Sequence, residues 1–377
     1  MLKFLIGNNR KKELYNQDTT EDYNEARVLH GNPNGIFNFK ETNHEWAANI
    51  YIDMLARDWK PQQVDVSKDK DRYPKATEVY KRTYDLVLGQ LIANDSMISN
   101  HIMDNLNRYI TSSIINAALS RHSYEEVNHT YSYTVMAEDI AADTHRIYRL
   151  ALNDKMLAKK NKFVKDLFEE PFIGKDKRNF IINKIDCKVR KYLAKKFDLH
   201  MPTDEEILVV VGSNQVLEEL VFPGGFAAMH AMEDVFPGSS SMIAEIQKDE
   251  TLSHVQLFKD MFRTIVIEEF DGVIPEIVVK RITKMVKVMT EAEIEWTLYA
   301  TKGLHGFTEK SVRIFVESQA NSVCKNLGIP TIYDKVKNNP LKRLLTSHLK
   351  GGDKESRSGF FERNVVEYSK DIIEVDF

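Results

Sequence analysis

Apolar side chains recur at intervals of three and four residues along most of the chain, which is the spacing of one face of an α-helix. The pattern is clear from Tyr84 to Ile102 and from Ile115 to Ile140. Between Pro74 and Pro171 there is no proline and a single glycine, so this stretch can form long helices joined by short polar turns. The same pattern predicts further helices at 176–199, 204–236, 240–270, 275–300 and 308–327.

The amino-acid composition also favours helices over strands and tight turns. Sixteen glycines and ten prolines in 377 residues are each about half of the usual share, which leaves few positions for turns. Apolar residues make up 42% of the chain and charged residues 29%, which excludes collagen-like, low-complexity and membrane-embedded proteins. The sequence therefore predicts an all-α protein.

Charge and cysteine content restrict the partners and the compartment. The 52 basic and 56 acidic residues are mixed along the chain, so we expect neither a nucleic-acid nor a membrane partner. Cys187 and Cys324 are far apart in the sequence, which favours a reducing compartment over a disulfide scaffold. The apolar segments Met1–Ile6 and Ile207–Val211 are too short for a signal-peptide core or a membrane span. We expect a soluble, cytoplasmic protein.

The chain divides into three parts by composition. Residues 1–71 mix turn signals with aromatic residues and predict an irregular segment with one helix that packs on a helical domain at 72–345. Residues 346–377 predict a flexible linker and a C-terminal tail, because Gly351–Gly359 is small and polar and large apolar side chains follow it. Such a tail either orders on a partner protein or packs back on its own domain, and we expect the first.

Polar side chains interrupt the apolar helix faces in the first half of the chain. Asp95 lies on the apolar face of one predicted helix, and His122, Glu126 and His129 lie on that of the next. A buried carboxylate must be paired, hydrogen-bonded or bound to a metal, because its desolvation is otherwise costly. His122 lies one turn before Glu126, and we expect it to support the site rather than to bind a metal.

The second half of the chain repeats this arrangement. Glu218 is a lone inward acid, and Glu250 and His254 follow it at a similar separation, which indicates an internal duplication. Two lone acids and two acid–histidine pairs on four helices are the ligand pattern of dinuclear metal sites in ferritin-like bundles. Four carboxylates neutralise two divalent ions, and an oxygen-rich ligand set suits iron or manganese. Any one of these residues alone could instead be satisfied by a neighbouring helix or by water.

Two other acid–histidine pairs are expected at the surface. Glu41 and His44 lie beside turn-rich sequence without an apolar face. His230 and Glu233 fall on the opposite helix phase from Glu218. We therefore assign neither pair to the metal site.

The predicted ligands alone leave metal storage, oxygenase, oxidase and radical generator open. Tyr133 favours the last of these, because it lies one turn after His129 on the same helix face and its phenol would stand near the metals. An oxidised metal centre there could remove an electron and a proton from the phenol. The alternative is a tyrosine that only packs in the core.

Several short motifs occur in an order and spacing that resemble a known family. The motifs are Trp59-Lys60-Pro61, Val64-Asp65-Val66-Ser67, Asp95, the segment from Glu126 to Tyr133, Leu217-Glu218-Glu219 with Phe222 and Phe226, Lys248-Asp249-Glu250, Leu327-Gly328-Ile329 and Asn339-Pro340-Leu341. From about Trp46 onwards the chain resembles the small, radical-generating subunit of class I ribonucleotide reductase.

The resemblance implies a ferritin-like bundle that holds two iron or two manganese ions and a stable radical on Tyr133. The implied metal ligands are Asp95, Glu126, His129, Glu218, Glu250 and His254. Phe222 and Phe226 are implied to shield the radical. Trp59 and Asp249 are implied to begin its transfer path, and Tyr368 in the tail to relay it. The implied assembly is a homodimer whose tail docks on a large catalytic subunit, which reduces ribonucleoside diphosphates to deoxyribonucleotides.

The chain departs from the family at one predicted ligand pair. The family has Glu-x-x-His in both halves, whereas Glu250 and His254 are separated by one additional residue. The spacing of four residues still keeps both side chains on one helix face, and a π-bulge could absorb the additional residue. Two other functions stay open: a dinuclear oxidase or oxygenase with its own substrate, and a non-catalytic metal-storage or scaffold protein.

Overall fold

The structure, a computed structural model, describes residues 15–173, 202–334, 339 and 341–350. Within these residues the secondary structure is entirely helical, so the predicted all-α class is confirmed. The predicted helix at 176–199, the glycine-rich stretch at 351–359 and the tail with Tyr368 lie outside the described residues, whereas residues 346–350, the start of the predicted linker, form the end of a helix.

The described helices follow the predicted order along the chain. They are α1 (Glu45–Ala56), α2 (Ser67–Arg72), α3 (Glu78–Asp104), α4 (Ser113–Asp139), α5 (Thr144–Asn153), α6 (Lys155–Ile173), α7 (Asp204–Val216), α8 (Phe222–His230), α9 (Pro237–Asp249), α10 (Val255–Glu269), α11 (Glu276–Ala300), α12 (Glu309–Asn326) and α13 (Lys342–Lys350). Short 3₁₀ turns connect some of them.

The two long helices α3 and α4 pack along each other and form one half of the bundle. Each begins at a side-chain cap, because the hydroxyls of Thr77 and Ser112 accept hydrogen bonds from backbone N–H groups in the first turn. Helix α7 packs against α10 and α11 and forms the other half. The predicted site residues lie on the faces that these two halves turn toward each other.

Two long helices in the second half are interrupted by π-helical turns. The predicted helix at 204–236 consists of α7, a first π segment (Leu217–Val221) and α8. The predicted helix at 240–270 consists of α9, a second π segment (Glu250–His254) and α10. Each interruption falls on a predicted metal ligand.

Among the described residues, the stretch Asp204–His230 is long and apolar enough to cross a membrane by composition, but 94% of its most apolar window is buried inside the protein. It packs against α10, α11 and α12. This stretch therefore forms the centre of the bundle.

The prediction for His44 is wrong, although Glu41 lies at the surface as expected. The side chain of His44 is 1% exposed. Its Nδ1 lies 2.8 Å from Oγ of Ser112, and its Nε2 lies 2.8 Å from Oε1 of Glu268. The histidine is buried because the N-terminal segment packs across the start of α4 and the end of α10, a long-range contact that local spacing does not reveal.

The prediction for His230 is also wrong. His230 is buried, and its ring nitrogens lie 2.8 Å from Oγ of Ser240 and 2.9 Å from Oε1 of Gln247. Its ring stacks on that of His348, with the centroids 3.7 Å apart. Glu233 is exposed, as expected, and pairs with His348 at 3.2 Å. Helix α13 covers this part of α8, which explains the burial.

Candidate metal centre

The fold brings all six predicted ligands together with His122 in one buried cluster. Asp95 lies on α3, Glu126 and His129 on α4, Glu218 in the first π segment, and Glu250 and His254 in the second. None of their side chains is more than 3% exposed. Within the described part of the chain, the ligand atoms form two overlapping buried groups that could each hold a metal ion. One group is Asp95, Glu126, His129 and Glu250, and the other is His122, Glu126, Glu218 and His254.

Glu126 and Glu250 occupy the centre of this cluster. Nδ1 of His254 lies 2.8 Å from Oε2 of Glu250 and 3.2 Å from Oε1 of Glu126. Nδ1 of His129 lies 3.2 Å from Oε1 of Glu250 and 3.8 Å from Oε2 of Glu126. Both carboxylates therefore stand between the two imidazoles.

Several polar atoms of the cluster are buried without a hydrogen-bond partner. They are both carboxylate oxygens of Asp95 and of Glu126, Oε2 of Glu218, Oε1 of Glu250, and Nδ1 of His122 and of His129. Burial, followed by the charge of a neighbouring carboxylate, raises the pKa of Asp95 and of Glu218 well above the usual range. Buried polar atoms of native proteins are almost always satisfied. The donor set of carboxylates and imidazoles thus fits two divalent cations, which would satisfy these atoms and offset the negative charge.

His129 is oriented by a carboxylate outside the cluster. Its Nε2 lies 3.1 Å from Oδ2 of Asp249, which leaves Nδ1 to face the cluster. The same oxygen of Asp249 accepts a hydrogen bond of 2.7 Å from the indole N–H of Trp59. The indole ring lies nearly parallel to the imidazole of His129, with an interplanar angle of 22°. The structure therefore connects Trp59, Asp249 and His129 directly.

Sequence reasoning missed Glu125. Oε2 of this residue lies 2.9 Å from Nε2 of His254, so His254 also has a carboxylate behind it. A signal was present in the sequence, since Glu125 directly precedes Glu126 as Asp249 directly precedes Glu250.

The second π segment confirms the predicted π-bulge. The N–H of Val255 bonds to the carbonyl of Glu250, five residues earlier, so the helix accommodates one more residue per turn. Glu250 and His254 lie on one face of this segment, with Nδ1 of His254 2.8 Å from Oε2 of Glu250.

The first π segment was not predicted, and it has an identifiable cause. The N–H of Phe222 bonds to the carbonyl of Leu217, and the next residue, Pro223, has no N–H to continue the ladder. The carbonyl of Glu219, which an α-helix would pair with residue 223, instead accepts a hydrogen bond of 3.1 Å from Nε2 of Gln319 on α12. Pro223 was the signal in the sequence.

A second glutamine contacts the same turn from the opposite side. Nε2 of Gln90 on α3 donates to the carbonyl of Val221 at 3.3 Å. Oε1 of Gln90 in turn accepts the indole N–H of Trp296. Two glutamines from flanking helices therefore hold the turn that carries Glu218.

His122 contacts two of the predicted ligands, and its supporting role stays a prediction. Its Nε2 lies 3.0 Å from Oε1 of Glu218 and 3.1 Å from Oε1 of Glu126. In this position the imidazole bridges two carboxylates from different helices. Helix phase alone showed that His122 points inward, but not that its ring reaches Glu218.

The predicted radical residue and its predicted shield are all buried. Tyr133 is 0% exposed, and its hydroxyl lies near the carboxylate of Asp95. Burial, followed by the charge of Asp95, raises the pKa of Tyr133 well above its usual value. Phe222 and Phe226 on α8 are buried and stack on each other, with ring centroids 5.9 Å apart.

Comparisons with known proteins agree with this geometry. Residues 36–340 match the family model described as ribonucleotide reductase, small chain. The chain belongs to this family. The protein is therefore one subunit of an oxidoreductase. All six predicted ligands, Trp59 and Tyr133 lie inside the matched residues, and Tyr368 lies beyond them.

Individual relatives support the family assignment over nearly the whole length of this protein. The ribonucleoside-diphosphate reductase subunit beta of Halalkalibacterium halodurans is 26% identical over 370 residues, covering 96% of each chain. The R2 subunit from Clostridium botulinum has a similar fold, with a TM-score of 0.75, 20% identity and coverage of 90% of this chain and 98% of that one. A dimanganese(II) NrdF from Streptococcus sanguinis has a TM-score of 0.65, with 16% identity over 82% of this chain and 99% of that one. These structural matches confirm the predicted ferritin-like helical fold.

Proposed function

We propose that this chain binds two iron or two manganese ions and forms a stable radical on Tyr133 with oxygen as the source of oxidant. The radical is then delivered to a large subunit that reduces ribonucleoside diphosphates to deoxyribonucleotides. The substrate class follows the names of relatives such as the subunit beta of Halalkalibacterium halodurans. The observation that supports this proposal most strongly is the buried cluster of four carboxylates and two imidazoles, because several of its inward atoms have no hydrogen-bond partner.

The two overlapping groups suggest how the ions would be shared. Asp95 and His129 would hold one ion, Glu218 and His254 the other, and Glu126 and Glu250 stand between them. Iron and manganese both accept this ligand set. The dimanganese(II) form of one structural relative makes manganese a serious candidate here. When bound, the metal pair supplies the oxidising power that removes an electron and a proton from a phenol.

Tyr133 is the residue best placed to carry the radical. It follows His129 by one helical turn on α4, its side chain is fully buried, and its hydroxyl lies near the carboxylate of Asp95. A strongly oxidising radical survives only where water and reductants are excluded. We assign Phe222 and Phe226 to the dry surroundings of this radical, because both are fully buried beside the first π segment.

The connection from His129 through Asp249 to Trp59 is the proposed start of the transfer path. Its hydrogen bonds let an electron and a proton move together between the metal site and the indole. We propose that Tyr368, in the tail at 346–377, continues the path to the large subunit. Cys324, a free buried thiol, agrees with a cytoplasmic location.

A surface patch supports the proposed homodimer. The patch comprises exposed apolar side chains on two adjoining helices: Ile52 and Leu55 on α1, and Tyr124, Val127 and Tyr131 on α4. Exposed apolar side chains grouped on neighbouring helices are typical of protein interfaces. Val127→Glu should convert the dimer to a monomer in sedimentation experiments, whereas the exposed control Leu152→Glu on α5 should leave it a dimer. A dimeric Val127→Glu protein would contradict the use of this patch.

Metal titration of the metal-free protein under anaerobic conditions tests the function against its rivals. The proposal requires two ions per chain with iron(II) or manganese(II). Many ions per chain would indicate storage, and none would indicate a scaffold.

Deletion of residues 360–377 separates the proposal from an independent oxygenase. The shortened chain should still form the radical after oxygen exposure, but it should lose both association with the large subunit and nucleotide reduction. Substrate turnover by the full chain without any partner would favour the oxygenase.

A further inference from the structure

The two halves of the metal cluster support each other's histidines in a reciprocal way. Asp249 directly precedes the cluster residue Glu250, and it contacts His129 of the first half at 3.1 Å. Glu125 directly precedes Glu126, and it contacts His254 of the second half at 2.9 Å. In both cases the contact is made to Nε2, so Nδ1 of each ring faces the cluster.

Glu125 is itself held in place from the outer side. Its side chain is 3% exposed, and its Oε1 accepts a hydrogen bond of 3.1 Å from Nε of Arg121, one turn earlier on α4. Arg121 also donates to the backbone carbonyl of Met54 at 3.2 Å and pairs with Asp58 at 2.6 Å. The guanidinium offsets the buried charge of Glu125 and fixes the direction in which its Oε2 points.

We propose that Glu125 is a positioning residue for metal binding, held by Arg121 and acting through His254. By accepting the Nε2–H of His254, it fixes the tautomer in which Nδ1 has a free lone pair directed at the metal position. This inference rests on the proposed function, since it concerns a ligand of the proposed metal pair.

The side chains that hold Asp249 and Glu125 from the outer side differ in chemistry. Behind His129, Asp249 continues to the indole of Trp59, a side chain that can be oxidised. Behind His254, Glu125 continues to the guanidinium of Arg121, which cannot carry an electron at accessible potentials. Both halves therefore orient a histidine in the same way, but only the His129 half leads to a possible exit for the radical.

The variants Glu125→Leu and Glu125→Gln test the role of Glu125. Leucine removes the acceptor and leaves the N–H of His254 buried without a partner, while Arg121 keeps Asp58. Glutamine retains a carbonyl oxygen that can accept the same N–H. Glu138→Gln is the matched control, because Glu138 is an exposed acid on the same helix.

The measurement is an anaerobic titration of the full-length metal-free chain with manganese(II), followed by electron paramagnetic resonance and calorimetry. We expect Glu125→Leu to weaken one of the two sites by about 10- to 100-fold. Glu125→Gln should weaken the same site less, and Glu138→Gln should match the unsubstituted chain. In the cobalt(II)-loaded protein, proton NMR should show two shifted, slowly exchanging imidazole N–H signals, and Glu125→Leu should lose one of them.

The outcomes distinguish failure of this inference from failure of the proposed function. Two manganese sites of unchanged affinity in Glu125→Leu, with both imidazole signals kept, would overturn the inference and leave the proposed function standing. Equal weakening of both sites would also overturn it, because the effect would then be general rather than local. An unsubstituted chain that binds no ion would overturn the proposed function itself.

Discussion

His129 and Asp249 are joined by a contact of 3.1 Å between Nε2 and Oδ2, made entirely within the buried interior. The carboxylate has two roles at once, because the oxygen that holds the imidazole also accepts the indole N–H of Trp59. The proposed metal binding and the proposed radical transfer therefore both depend on the side chain of Asp249. The two functions can nevertheless be separated, since Trp59 does not face the metal positions.

Replacing Trp59 by phenylalanine should separate them. Trp59→Phe removes the N–H that bonds to Asp249 but leaves the contact between Asp249 and His129 intact. We expect the metal content and the Tyr133 radical to be retained, and nucleotide reduction with the large subunit to fall to background. The measurements are metal analysis, radical quantitation by electron paramagnetic resonance and a coupled turnover assay.

Trp46→Phe is the matched control for this experiment. Trp46 is half-buried, and its indole N–H has no hydrogen-bond partner, so this substitution should leave turnover unchanged. Full turnover by Trp59→Phe would remove the indole from the transfer path.

The first π segment provides a second prediction. Gln319→Leu removes the donor that satisfies the carbonyl of Glu219, and we expect it to lower the free energy of unfolding by about 1 kcal/mol. Chemical denaturation measures this change. Hydrogen exchange should increase locally around Leu217–Val221, because that turn loses one of its two glutamine contacts.

A double-mutant cycle isolates the cause. Pro223→Ala restores an N–H that can pair with the carbonyl of Glu219, so Gln319→Leu should cost less in that background than in the unsubstituted chain. Equal costs in the two backgrounds would show that Gln319 does not stabilise the turn through this carbonyl.

A buried ion pair near the metal-bearing helices provides a third prediction. Lys160 on α6 pairs with Glu293 on α11, and both side chains are almost fully buried. Lys160→Met leaves the carboxylate without its cation, which should lower the free energy of unfolding by about 3–5 kcal/mol. Denaturant titration of the metal-free chain measures the loss.

The double variant Lys160→Met with Glu293→Leu should recover most of this stability, because both charges of the buried pair are then removed. The exposed pair formed by Lys162 and Asp166 is the control, and Lys162→Met should have little effect. A small effect of Lys160→Met, similar to that of the control, would contradict a stabilising role for the buried pair.

Much of the bundle and of its cluster follows from periodicity. The spacing of apolar side chains predicts the helices, and the inward phase of Asp95, Glu126 and Glu218 brings these acids together once the helices pack. The one additional residue between Glu250 and His254, relative to the family's Glu-x-x-His, pointed to a π turn. These features are local, because helix phase depends only on residues a few positions apart. Their roles as metal ligands stay predictions.

The features that sequence reasoning missed depend on contacts between distant segments. Gln319 contacts Glu219 from another helix, and Glu125 reaches His254 across the bundle. His44 and His230 were expected at the surface but are covered by segments far away in the sequence. Helix phase shows which side chains share a face, but it does not show what packs over the opposite face.

The central claim is that Tyr133 carries a radical formed beside a metal pair. It is tested most directly by electron paramagnetic resonance on the unsubstituted chain and on Tyr133→Phe, each loaded with iron or manganese and exposed to oxygen. We expect two ions per chain in both proteins, and a tyrosyl signal only in the unsubstituted chain. A tyrosyl signal that persists in Tyr133→Phe would contradict it.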